Sequence, residues 1–115
     1  MRVVVVDDEP DARALARMVL ERGGHEVHTA RHPDEALQML EQVDVDVVLA
    51  DLHMPRMDGQ QLARTVAQLH PDVVCIVWST LGSGDEEDPP VREKDIMRLR
   101  IDEWIGDADT REVGA

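Results

Sequence analysis

The sequence of 115 residues predicts a single α/β domain built on a doubly wound parallel sheet. Three observations lead there. Short apolar runs such as Val3-Val4-Val5-Val6, Val45–Ala50 and Val73–Trp78 read as strands buried on both faces, the habit of a parallel sheet. Segments with apolar residues at helical spacing fall between those runs, an alternation that implies right-handed crossovers with helices on both sheet faces. Two of the runs end in carboxylates, Asp7-Asp8-Glu9 and Asp51, and parallel strands deliver such groups to one edge.

Taken in order, the first strand is Arg2–Val6. Asp8 or Glu9 can cap the following helix, and Pro10 suits its first turn, where the missing N–H costs nothing. Ala12, Leu15, Ala16, Val19 and Leu20 form its apolar stripe, and Gly23-Gly24 stops it. The second strand is Glu26–Ala30, with Val27 inward and His28 outward. Pro33 opens a second helix that buries Ala36, Leu37 and Leu40. The third strand, Val45–Ala50, leads through Pro55 and Gly59 to a helix from Gln60 to Leu69, with Leu62, Val66 and Leu69 inward. Pro71 ends that helix and Val73–Trp78 is the fourth strand. Leu81–Pro90, with two glycines, two prolines and four acids, reads as an acidic loop. A helix is expected from Val91, with Met97, Ile101, Trp104 and Ile105 on one face. The alternative makes Arg100–Ile105 a fifth strand. Gly106–Ala115 reads as a polar tail.

Charge narrows the possible functions. The chain holds 25 acidic and 12 basic residues, a net charge of −13. Binding to nucleic acid rests on neutralising phosphates with Lys and Arg, so no nucleic-acid partner is expected for this chain alone. Its one cysteine, Cys75, lies inside the fourth strand and reads as buried and inert. With no internal disulfide, no membrane-spanning apolar run and no signal segment, a cytoplasmic protein is expected.

The carboxylates carry the chemistry. Three of them, Asp7, Asp8 and Asp51, at one sheet edge call for a hard cation such as Mg²⁺. These residues resemble the receiver domain of two-component response regulators. The likeness covers Val3 to Thr80. It rests on Asp7-Asp8-Glu9 after strand one, Asp51 after strand three, Met54-Pro55-Arg56-Met57-Asp58-Gly59, and Ser79 after strand four. The resemblance implies a flavodoxin-like fold and phosphoryl transfer from the phosphohistidine of a sensor histidine kinase or phosphotransfer protein to Asp51. It also implies Mg²⁺ held by Asp7, Asp8, Asp51 and the backbone carbonyl of His53, with Ser79 hydrogen-bonding the phosphoryl group. An aspartate is already an anion at neutral pH and needs no base to attack phosphorus. Read this way the chain is a signalling module rather than an enzyme. Its output domain or protein partner is not named by the sequence, no membrane is involved, and a homodimer is compatible with it.

The family pattern breaks downstream. Receivers normally carry a lysine followed by proline at the end of strand five. Aligning Asp102–Ala108 with that region puts Asp107 where the lysine is expected, and Lys94 falls in the preceding segment. The expectation is a modified or truncated fifth βα unit, with 1–80 typical and 81–115 a divergent loop, helix and tail. Weak coupling of phosphorylation to Val91–Ile105 follows, unless Lys94, Arg92, Arg98 or Arg100 folds back over the pocket. Thr80 stands where the family usually has Ala or Gly. The missing lysine supports a rival reading, a pseudo-receiver interaction module that is not phosphorylated. A phosphatase of the haloacid dehalogenase class would want a second Asp at the position of His53. His25, His28 and His32 read as solvated surface residues rather than ligands.

Overall fold

A computed structural model of the protein describes residues 1–80, 90–96, 99 and 101–105. Its elements are β1 (Arg2–Val6), α1 (Pro10–Arg22), β2 (Glu26–Ala30), α2 (Pro33–Gln42), β3 (Val47–Asp51), α3 (Gly59–Leu69), β4 (Val74–Ser79) and β5 (Val91–Glu93). The five strands form one sheet in the order β2-β1-β3-β4-β5, every neighbouring pair parallel. The doubly wound α/β fold expected from the sequence is therefore present.

Strand parity explains both faces of the core. Val3, Val5, Leu49, Ile76 and Trp78 pack with Ala16 and Leu20 of α1 and with Ile101. Val4, Val6, Val48 and Ala50 turn the other way, onto Ala36 and Leu40 of α2 and Leu62 and Val66 of α3. All four valines of β1 are fully buried. Burying one such side chain contributes ~1.5–3 kcal/mol, so β1 anchors both layers. Of the stripe expected on α1, Ala16 and Leu20 are buried while Leu15 is 41% exposed: it lies on the outer side of an arc wider than the surface the helix covers. At the end of α1 the Gly23 N–H donates to the carbonyls of Val19 (3.2 Å) and Leu20 (3.0 Å), and Gly24 takes φ +91°, a value that glycine adopts without a Cβ clash.

The chain order 2-1-3 reverses direction between β1 and β3. Beyond the carboxyl ends of two strands at such a reversal, the loops diverge and leave a crevice. Asp7 and Asp51 lie at those ends.

The C-terminal part corrects the sequence reading. Val91 does not start a helix. Val91–Glu93 is β5, with Val77 opposite Val91, Trp78 opposite Arg92 and Ser79 opposite Glu93. A three-residue strand with one buried side chain leaves no periodicity to read, and its hydrogen bonds come from β4. Residues 101–105 are helical, which overturns the alternative of a strand at Arg100–Ile105. Ile101 is buried there, and Ile96, Leu99, Trp104 and Ile105 pack around it on the α1 side of the sheet. Met97, most of the loop after Thr80 and the tail after Ile105 lie outside the described residues. The link from Ser79 to Val91 is residues 80–90, near the roughly dozen-residue minimum of a parallel crossover. Among the described residues no helix is long and apolar enough to cross a membrane.

Candidate functional site: a carboxylate pocket closed by Lys94

Asp7 continues the line of β1. Its N–H donates to the Ala30 carbonyl at 3.1 Å, and the Arg13 guanidinium donates to its carbonyl at 2.7 Å. Its side chain is buried, and Oδ1 accepts from the Glu9 N–H at 3.0 Å. Asp8 is exposed at the rim. The cap expected of Asp8 or Glu9 is not made: Glu9 holds the N-cap position of α1 without a side-chain cap bond. That leaves the carboxylate of Asp8 available to the pocket.

Asp51 is the last residue of β3, opposite Trp78 of β4. The loop after it is tightly fixed. The Leu52 N–H donates to the Trp78 carbonyl at 2.8 Å, and the Gly59 N–H donates back to Leu52 at 2.9 Å. A Cβ on Gly59 would lie 2.6 Å from the Asp51 carbonyl oxygen and 2.9 Å from Val77 Cγ1, so only glycine fits. Asp58 and Gln61 exchange side-chain-to-backbone bonds in a capping box that starts α3. Within the loop Arg56 takes φ 73°. His53 is exposed, and its N–H reaches Asp51 Oδ1 only at 3.5 Å. Ser79 is buried at the end of β4, and Thr80 beside it is exposed.

One carboxylate oxygen from each of Asp7, Asp8 and Asp51 lies within 4.8 Å of the others. Among the described residues this is the His, Cys or acidic group with metal-binding spacing. The donor set fits a hard divalent cation: all oxygen, multiply anionic, and open on the Asp8 side. The three histidines do not gather. His25 faces the N-terminal ammonium (3.2 Å) and Asp102 (3.8 Å), and is less solvated than its sequence context suggests; His28 pairs with Glu26, and His32 precedes α2. The Cys75 thiol is pushed up to about 12 by burial, in keeping with an inert cysteine.

Lys94, which the sequence sets in the segment before the expected strand five and offers only as a stand-in, lies in the pocket. It directly follows β5, and its N–H donates to the Ser79 carbonyl at 2.8 Å. Its Nζ lies 2.5 Å from Asp7 Oδ2 and 3.4 Å from Asp51 Oδ2, with 5% of the side chain exposed. The pocket lysine is therefore present. The alignment of Asp102–Ala108 with the end of strand five set that end too far along the chain, since β5 is Val91–Glu93. The signal in the sequence was that Lys94 is the chain's one lysine. Asp95, not proline, follows it. Arg92 lies over the Trp104 ring, 5.8 Å from its centroid; Arg98 and Arg100 lie outside the described residues.

The electrostatics follow from this packing. Burial raises Asp51 above its ordinary 3.8, the Lys94 ammonium pulls it back down, and the Asp7 charge pushes it up again. Burial also works against the Lys94 charge. The hydrogen bond and charge of Asp7, with the charge of Asp51, outweigh it and hold the ammonium above its ordinary 10.5. Beside the pair, Lys94 Nζ lies 5.7 Å from the centroid of the Trp78 ring, and Trp78 meets Trp104 edge to face at 6.2 Å and 72°.

Comparison with known proteins agrees with this geometry. Residues 3–90 match the family model of the response regulator receiver domain. The chain is 36% identical over 86 residues to a protein-glutamate methylesterase/protein-glutamine glutaminase of Hahella chejuensis, covering 74% of this chain and 25% of that protein. It is 38% identical over 79 residues to the sensor kinase CckA of Brucella abortus, covering 67% of this chain and 8% of that one. The chain thus spans a quarter or less of these relatives. Among solved structures, the response regulator TrrA of Thermotoga maritima, in complex with Mg(2+)-BeF, superposes with a TM-score of 0.74 at 25% identity over 95% of this chain and 96% of that one. The N-terminal domain of a response regulator receiver protein from Methanoculleus marisnigri gives 0.70 at 29% identity, over 76% and 73%.

Proposed function

This chain belongs to the response regulator receiver domain family, and on that premise we propose that it accepts a phosphoryl group on Asp51 from a phosphohistidine of a sensor histidine kinase or phosphotransfer protein. The observation that carries the reading is the convergence of Asp7, Asp8 and Asp51 with the Lys94 ammonium held across Asp7 and Asp51. A carboxylate oxygen of Asp51 attacks phosphorus; the O–P bond forms, the N–P bond to the donor imidazole breaks, and the imidazole nitrogen takes a proton from water. Asp7, Asp8, Asp51 and the His53 carbonyl would hold Mg²⁺. Bound there, Mg²⁺ supplies the charge that offsets repulsion between Asp51 and the phosphoryl oxygens. Lys94 adds a cation held against Asp7 and Asp51, and Ser79 is the candidate hydrogen-bond donor to the phosphoryl group. Like repulsion among the three carboxylates supports a cation there independently of any reaction.

The pseudo-receiver reading drew its support from an absent lysine, and Lys94 removes that support. The two readings separate in one experiment. Incubation with acetyl phosphate and Mg²⁺ should add one phosphoryl mass to the intact protein, and Asp51→Asn should prevent it while leaving the far-UV spectrum unchanged. No adduct in wild type would favour the interaction module; an undiminished adduct in the variant would move the acceptor elsewhere.

A further inference from the structure

Trp78 sits where the carboxylate pocket meets the α1-side core. It is fully buried, yet its indole N–H has no hydrogen-bond partner. An orphaned buried donor costs free energy that a leucine or isoleucine on β4 would not incur. The ring face instead lies beside Lys94 Nζ, within the ~6 Å range of a cation–π contact. The ring also packs edge to face on Trp104 of the 101–105 helical segment, which Arg92 covers at 5.8 Å.

We propose that Trp78 is a positioning residue for the Lys94 ammonium, and that the Trp78–Trp104 pair passes changes in the charge of the pocket to residues 101–105. The inference rests on the proposed function only in naming the phosphoryl group as the physiological source of that charge. Lys94 is shared between two carboxylates and an aromatic face. A cation or an anion added at the carboxylates changes the pull on the ammonium, whose aromatic neighbour is the Trp78 ring. A displaced ammonium changes the field at the indole, and the edge-to-face contact carries a shift of that ring to Trp104. Arg92, opposite Trp78 on β5, lies over the Trp104 ring.

The chain contains two tryptophans and no tyrosine or phenylalanine, so its emission reports these two rings alone. In Trp104→Phe, which leaves Trp78 as the emitter, Lys94→Met should shift the Trp78 spectrum in protein carrying no added ion. An unchanged spectrum overturns the proposal whatever the chemistry of Asp51. In Trp78→Phe and Trp78→Leu, Trp104 is the emitter. Its response to Mg²⁺ with beryllofluoride should persist in Trp78→Phe, which keeps a ring face, and disappear in Trp78→Leu. Equal responses in the two would overturn the relay. If Trp78→Leu does not fold, comparison of the Trp104 response in Trp78→Phe with that in Trp78→Phe/Lys94→Met decides the same point, a response unaffected by the loss of Lys94 being the overturning result. Acetyl phosphate labelling of Trp78→Phe should run within about twofold of wild type, and that of Trp78→Leu roughly two- to thirtyfold slower, the span of one cation–π contact. Absence of labelling in wild type together with a Lys94-dependent Trp78 spectrum would reject the acceptor reading and leave the positioning role standing.

Discussion

Lys94 and Asp51 set the energetics of the pocket from opposite directions. Removing one partner of a buried ion pair leaves the other charge uncompensated, at ~3–5 kcal/mol. Lys94→Met should therefore lower the urea-unfolding free energy by about 3 kcal/mol, and millimolar Mg²⁺ should restore part of the loss by replacing the missing cation. The folded-state pKa of Lys94 lies above 10.5, so its contribution is complete below pH 10.5 and is lost as pH rises through the folded value. The gap between Lys94→Met and wild type should stay level from neutral pH to about pH 10 and close only above that. Asp51 is the opposite case: a carboxylate raised above 3.8 binds its proton more readily in the folded state. Stability then falls as pH rises from 3.8 through the folded value. Asp51→Asn should melt above wild type at pH 7, with the difference vanishing toward pH 3.8. A lower melting temperature for the variant at pH 7 would contradict the assigned direction.

The elements differ in how they hold the site. The β3–α3 loop is constrained by close approach. In Gly59→Ala a Cβ meets the Asp51 carbonyl oxygen at 2.6 Å and Leu52 Cα at 3.0 Å, backbone atoms that cannot rotate away. Overpacking of this kind costs ~1–3 kcal/mol, and here it also displaces Asp51. Gly59→Ala should thus lose stability in chemical denaturation and bind Mg²⁺ more weakly. Asp58→Ala removes the capping-box bond to the Gln61 N–H (2.8 Å) and should cost ~1 kcal/mol without changing Mg²⁺ affinity, because it acts at the start of α3 and not on the carboxylates. The contrast between these two neighbours distinguishes site geometry from helix stability. β5 is the least self-sufficient element. Val91 is buried, but Arg92 and Glu93 take their place from β4 and from Trp104, not from their own propensity.

Across the whole molecule, the sheet topology concentrates negative charge at one edge of a chain that already carries −13. A cation bound there stabilises the folded state by mass action, by about 2.7 kcal/mol when free Mg²⁺ is a hundredfold above its dissociation constant. Thermal melts should move upward with Mg²⁺ in wild type and much less in Asp8→Ala, since Asp8 is the exposed member that Lys94 does not engage. An equal upward shift in Asp8→Ala would remove that residue from the metal site.

The first four strands, the three intervening helices and the Asp7–Asp8–Asp51 convergence were legible in the sequence because each rests on a strong local signal. Short, β-branched valine runs without alternation read as strands buried on both faces, prolines and glycines mark the element ends, and parallel strands send their terminal carboxylates to one edge. Local signals failed where an element is defined by its neighbours. Val91-Arg92-Glu93 becomes a strand because β4 offers unsatisfied backbone groups, and Lys94 becomes the pocket cation because the short β4–β5 connection brings that strand end beside Asp7 and Asp51. The family match itself ends at residue 90, just before β5. The Lys94–Trp78–Trp104 arrangement joins residues whose sequence separation carries no periodic signal. Only the packed sheet, which fixes both the register of β5 on β4 and the face to which Trp78 points, brings them into contact.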